Sequence, residues 1–111
     1  MATTYKRLGA IASTGTIGTA DTLYQVPAST AAVISTISIC NTASTAATYR
    51  ISISLTSSFV TAGYLAYGAT VAANDTVMIT CGFTLDATNK YLLCSASAAT
   101  VVFGVFGSEI S

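Results

Sequence analysis

An all-β fold is predicted for this 111-residue chain: a single antiparallel β-sandwich, jelly-roll or Ig-like, of about seven or eight short strands with an extended N-terminal arm. Three observations point to it. Apolar and polar residues alternate with a period of two along several short runs, the mark of a strand with one buried face. No stretch carries apolar residues at helical spacing. Pro, Asn and Asp fall between the runs, where turns need them. A chain of this length has room for one domain and one core.

Residues 1–20 stand apart, being rich in Gly, Thr and Ser with only Tyr5, Leu8, Ile11 and Ile17 to bury. They read as an N-terminal arm or edge strand, and residues 21–111 as the sandwich. A frayed terminus is the plainer alternative. It would leave Tyr5 and Leu8 in water, whereas an arm that adds a strand to a neighbour's sheet would use them. Thr22–Val26 is a short strand that ends at Pro27, which cannot donate to a ladder. Ala31–Cys40 places Val33, Ile37 and Ile39 on one face and Ile34, Thr36 and Ser38 on the other. The polar segment Asn41–Thr45 is a hinge.

Tyr49–Leu55 is the most regular run, apolar at every odd position and polar at every even one. Tyr64–Tyr67 and Tyr91–Ser95 are shorter candidates. Asp75–Cys81 sets Val77, Ile79 and Cys81 against Thr76 and Thr80, with Met78 breaking the polar side. Val101–Phe106 is apolar on both faces, as in a central strand or one covered by a neighbouring subunit. Asn74-Asp75 and Asp86–Asn89 supply turn-forming side chains. The Ala-rich segments Ala43–Ala47 and Ala96–Ala99 are short and interrupted by Ser and Thr, so they read as loops or strand ends.

Composition bounds the function. Four basic and four acidic residues give zero net charge, and there is no His. Soluble monomers carry charge at about a quarter of positions, and a chain this neutral has little to keep its copies apart. The expectation is a protein that lives packed in an assembly. Lys6-Arg7 is the one basic pair, too little for a nucleic-acid backbone, so no nucleic-acid partner is expected. The mean hydropathy is +0.69. Yet no run approaches the roughly 18 apolar residues of a spanning helix, and the length and lack of Trp argue against a membrane barrel. No membrane partner is expected. The apolar run Leu8–Ala12 is shorter than the roughly 7–15 residues of a signal core, which suggests synthesis and first residence in a cytoplasm.

Catalysis needs proton carriers, and the commonest, His, is missing. Asp21, Asp75, Asp86 and Glu109 are spread along the chain with no spacing that pairs them, and no Gly-rich phosphate loop is present. No catalytic, cofactor or metal residue is assigned. A calcium site from Asn74-Asp75 and Asp86–Asn89 is less economical than two Asx turns. Cys40, Cys81 and Cys94 cannot all pair, and none lies in a C-x-x-C. They read as buried thiols, with a Cys81–Cys94 bridge as the alternative. Tyr64 and Tyr67 suit either an interface or a sugar-stacking site, and the composition favours the interface.

Several segments, in order, resemble a family of small β-sandwich virion proteins of tailed bacteriophages, cyanophages in particular. They are Tyr5–Ala10, Thr22–Ala28, Ile37–Asn41, Ala47–Ile53, Tyr64–Tyr67, Ala73–Val77, Gly82–Leu85 and Phe106–Ile110. Each is weak alone, and together they span nearly the whole chain. The resemblance implies a non-enzymatic structural role in the virion, assembled in the host cytoplasm. It leaves the position on the particle open, and the leading expectation is a capsid cement or decoration protein, a homotrimer bound to the major capsid protein or other virion proteins. The alternatives are a tail, baseplate or fibre accessory of the same fold, and a glycan- or receptor-binding module on the particle. The candidate contacts are Tyr5, Lys6, Arg7 and Leu8 of the arm, Tyr64 and Tyr67, and Val102 and Phe106 on the last strand.

Overall fold

The computed structural model describes residues 3–110. Its strands are β1 (Thr3–Ala12), β2 (Asp21–Gln25), β3 (Ala31–Asn41), β4 (Ala47–Ser54), β5 (Tyr64–Val71), β6 (Thr76–Leu85), β7 (Tyr91–Ala96) and β8 (Val101–Ile110), with a 3-10 turn at Thr61–Gly63. They form two four-stranded sheets, ordered β1-β8-β3-β6 and β2-β7-β4-β5. β1 pairs with β8, β2 with β7, β3 with β6 and β4 with β5, all antiparallel. This is one long hairpin of four strand pairs wound over two sheets, a jelly roll. Strand order thus decides between the two sandwich forms the sequence left open.

The inner faces interdigitate. Ile34, Ile37, Ile39, Phe103 and Val105 of the first sheet meet Tyr49, Ile51, Leu92 and Cys94 of the second, all buried. Tyr49 and Phe103 pack edge to face across the interior, with ring centroids 6.4 Å apart. β8 lies inside its sheet between β1 and β3, with Val101, Phe103 and Val105 buried in the core and Val102 exposed on the outer face. Thr3–Ala12 takes the edge-strand form, paired along its own chain's β8.

β3 departs from the expected alternation. Ile34, Ile37 and Ile39 all face the core, while Val33 lies on the outer face with Thr36 and Ser38. A bulge at Ser35 sets two residues of β3 against one step of β8 and so inverts the face of everything before it. Leu55, expected to end the β4 alternation, lies beyond the strand and is exposed.

Polar groups join the layers at each end. The Tyr24 hydroxyl on β2 donates to Glu109 Oε2 on β8 at 2.5 Å, and Lys6 Nζ on β1 lies 3.0 Å from Glu109 Oε1. At the other end Asn41 is buried. Its Nδ2 donates to the Thr45 carbonyl at 2.8 Å, and its Oδ1 accepts from Ala43 N and Thr100 Oγ1. The three cysteines are free: Cys94 is buried and Cys40 and Cys81 are half-buried. Cys81 and Cys94 are both free, so the alternative bridge is not formed.

Candidate functional site

The two outer faces differ. The second sheet is covered by its own loops over β7 and part of β4, while Tyr67 on the edge strand β5 stays exposed. Ser95 Oγ on β7 donates to the Ile17 carbonyl at 2.7 Å, and Ser13 Oγ accepts from Ala96 N at 3.1 Å, which lays the loop after β1 over β7. The segment after β4 folds back so closely that a Cβ on Gly63 would lie within 2.1 Å of the Ile53 carbonyl oxygen. Leu93, Ser95 and Ser52, all on this outer side by register, are therefore fully buried.

The first sheet has no such cover. Register places Tyr5, Arg7, Ala10 and Ala12 of β1 beside Ser108, Phe106, Gly104 and Val102 of β8 on its outer face. Thr36, Ser38 and Cys40 of β3, then Thr80, Met78 and Thr76 of β6, continue the same face. Tyr5, Met78 and Val102 are 66%, 63% and 38% exposed. Arg7 is the one charged side chain that register places here among the described residues. The result is a bare face of small polar and large apolar side chains that is almost without charge.

The candidate contacts thus divide into three groups. Tyr5, Arg7, Val102 and Phe106 come together on this face, where Tyr5 Oη lies 3.0 Å from Ser35 Oγ. Lys6 and Leu8 do not join them. Lys6 pairs with Glu109, and Leu8, the residue bulged out of the β1–β8 ladder, packs against the core. Tyr64 and Tyr67 sit on the edge strand β5 of the second sheet, in a separate group. Met78 was not among the expected contacts. Its signal was present in the sequence, an apolar residue on the polar side of an otherwise regular alternation.

Tyr64 and Tyr67 are three residues apart and would face opposite ways on a regular strand. Bulges at Leu65 and Gly68 place Tyr64 opposite Ser52 and Tyr67 opposite Arg50, all on the outer face. Gly68 has φ +68°, a left-handed conformation that glycine adopts freely. The Arg50 guanidinium carbon lies 4.2 Å from the Tyr67 ring centroid. Tyr64 meets Tyr67 at 4.8 Å and 84°, and Phe59 meets Tyr64 at 5.3 Å and 32°. Thr61, Tyr64 and Tyr67 line an open cleft of about 470 Å³.

All four carboxylates accept hydrogen bonds within the fold. Asp21 is buried and accepts from Thr14 N and Oγ1. Asp75 accepts from Thr76 N, and Asp86 accepts from Thr88 N and Asn89 N within their turns. Glu109 is held below the usual carboxylate range, first by the Tyr24 hydroxyl and then by Lys6. The Tyr24 hydroxyl is pushed up, by burial first and by Glu109 second, so it stays a donor. Burial, reinforced by Asp21, pushes the Cys94 thiol up, and burial does the same to Cys81. Among the described residues no three His, Cys, Asp or Glu side chains converge as metal ligands would. A scan against protein-family models finds no match for the chain, and neither does a search of curated proteins.

Proposed function

We propose that this chain is a non-enzymatic structural protein of a tailed-bacteriophage virion, a capsid cement or decoration protein that grips the assembled head shell. The observation that carries this reading is the bare, nearly uncharged outer face of the first sheet. Four strands about 4.8 Å apart and about ten residues long present roughly 600 Å². A standard protein interface takes about 800 Å² from each partner. Tyr5, Met78, Val102 and Phe106 supply the large apolar and aromatic anchors that interfaces favour. The engagement of every carboxylate in hydrogen bonds within the fold, in a chain without His, supports a role without chemistry.

On this reading the protein works as a homotrimer on the major capsid protein, within the virion assembled in the host cytoplasm. The jelly roll supports it as architecture only, since shell and lectin domains both use it and a fold does not decide a function. A reconstruction of the intact particle tests it. The expected result is hundreds of copies, the first sheet turned toward the shell, and heads that lose heat resistance when the protein is omitted. A few copies on the tail would replace the head assignment with a tail, baseplate or fibre accessory. Absence from the particle would overturn the virion reading altogether.

A further inference from the structure

We infer that the corner formed by Arg50, Phe59, Tyr64 and Tyr67 is a binding site for an acidic saccharide, one whose sugar ring carries a carboxylate. It lies on the second sheet, away from the bare face, so it stands whether or not that face grips a shell.

The charge comes first. Lys6 is paired with Glu109, Arg7 belongs to the first sheet, and Lys90 lies 5.8 Å from the Tyr91 ring centroid. Arg50 forms no salt bridge and no side-chain hydrogen bond among the described residues, and its Nε is buried without a partner. A guanidinium is donor-only and always charged, so its complement is an acceptor-only anion, above all a carboxylate in bidentate geometry. Stacking on Tyr67 holds the fork in place. Thr61, Tyr64 and Tyr67 line the cleft and Arg50 flanks it against the Tyr67 ring, and a single cation there matches a monoanion better than a phosphate dianion.

The shape selects what the anion is attached to. The Tyr64 and Tyr67 rings meet nearly at right angles, and Phe59 extends the Tyr64 side at a tilt. A flat base or aromatic acid needs a free, level ring face or a parallel slot, which this corner lacks. A puckered sugar ring presents C–H groups in more than one direction and fits a concave corner of rings. The hydroxyls of Thr61, Tyr64 and Tyr67 give the sugar hydroxyls partners. The volume of about 470 Å³ falls within the roughly 300–1,000 Å³ of small-molecule sites. Tyr67 is 65% exposed, so a ligand reaches it without the fold opening. The Leu55–Gly63 loop and the doubly bulged strand that follows it fold beside Arg50 of β4 to make the corner.

The test is NMR titration of the isolated full chain with digalacturonic acid, using the neutral disaccharide of galactose as its control. The expected result is a saturable shift of the Tyr64 and Tyr67 ring signals and the Arg50 Nε–H, with at least tenfold weaker binding of the neutral sugar. Tyr67→Ala, at an exposed position, should abolish binding with the rest of the spectrum unchanged. Arg50→Gln should erase the preference for the acid. Arg50→Lys should retain part of it. Equal binding of acidic and neutral sugars would overturn the assignment, as would shifts confined to residues outside the corner or no shift with either sugar. Acetate or a Glu-containing peptide binding as tightly as the uronate would also overturn it, by removing the sugar from the recognition.

Discussion

Glu109 joins both layers of the sandwich through two hydrogen atoms, one from Tyr24 on the second sheet and one from Lys6 on the first. Its folded pKa lies below the ordinary glutamate value. The stability it contributes is therefore fully present above about pH 4.3, the unfolded value, and drains away as the pH falls through the lower folded value. Lys6 is half-exposed and screened by water, so the contribution is about 1 kcal/mol. Glu109→Gln should lower the melting temperature by a few degrees at neutral pH and flatten its fall on acidification. Melting curves from about pH 7 to pH 3 check this. Parallel curves for the two proteins would show that the link carries no pH dependence.

β5 shows how an element turns composition into geometry. The step at Gly68 lets the strand deliver both tyrosines to one face, and Gly63 lets the preceding segment lie against the β4 backbone. Gly68→Ala meets open space but a left-handed backbone, so it should destabilise by about 1 kcal/mol and loosen the Tyr67–Arg50 stack. Gly63→Ala drives a methyl into the Ile53 carbonyl and should lift the turn off β4, at about 1–3 kcal/mol. Urea unfolding gives the energies. The tyrosine near-ultraviolet circular dichroism reports the corner and should change in both variants. An unchanged signal in Gly63→Ala would mean that the loop does not set the ring geometry.

Across the whole molecule the two sheets share one core and differ outside it: loops roof the second sheet over β7 and part of β4, and the first is bare. Met78→Lys combined with Val102→Lys places two charges on the bare face at positions already exposed. Surface changes of this kind leave folding stability within about 0.5 kcal/mol. On the proposed reading the variant should therefore melt like the parent protein yet fail to bind heads. Unaltered binding would move the interface elsewhere, to the free edge of β6 or β2.

The sequence by itself determined that this chain is a sandwich of short strands with turns at Pro27, Asn41, Asn74 and Asp86, because period-two patterning and turn chemistry are local properties. It also marked β8 as a strand apolar on both faces. Only the tertiary structure decided the jelly-roll order, since a face pattern says which side is buried and not which strand lies next to it. It alone decided the inverted half of β3 and the shared face of Tyr64 and Tyr67, because a bulge changes facing by one residue without altering the pattern around it. It decided as well that Lys6 serves an internal link while Arg7, its neighbour, reaches the bare face, because adjacent residues on a strand point to opposite sides. Which outer face is roofed depends on where two loops land, and that follows from contacts between segments far apart in the chain.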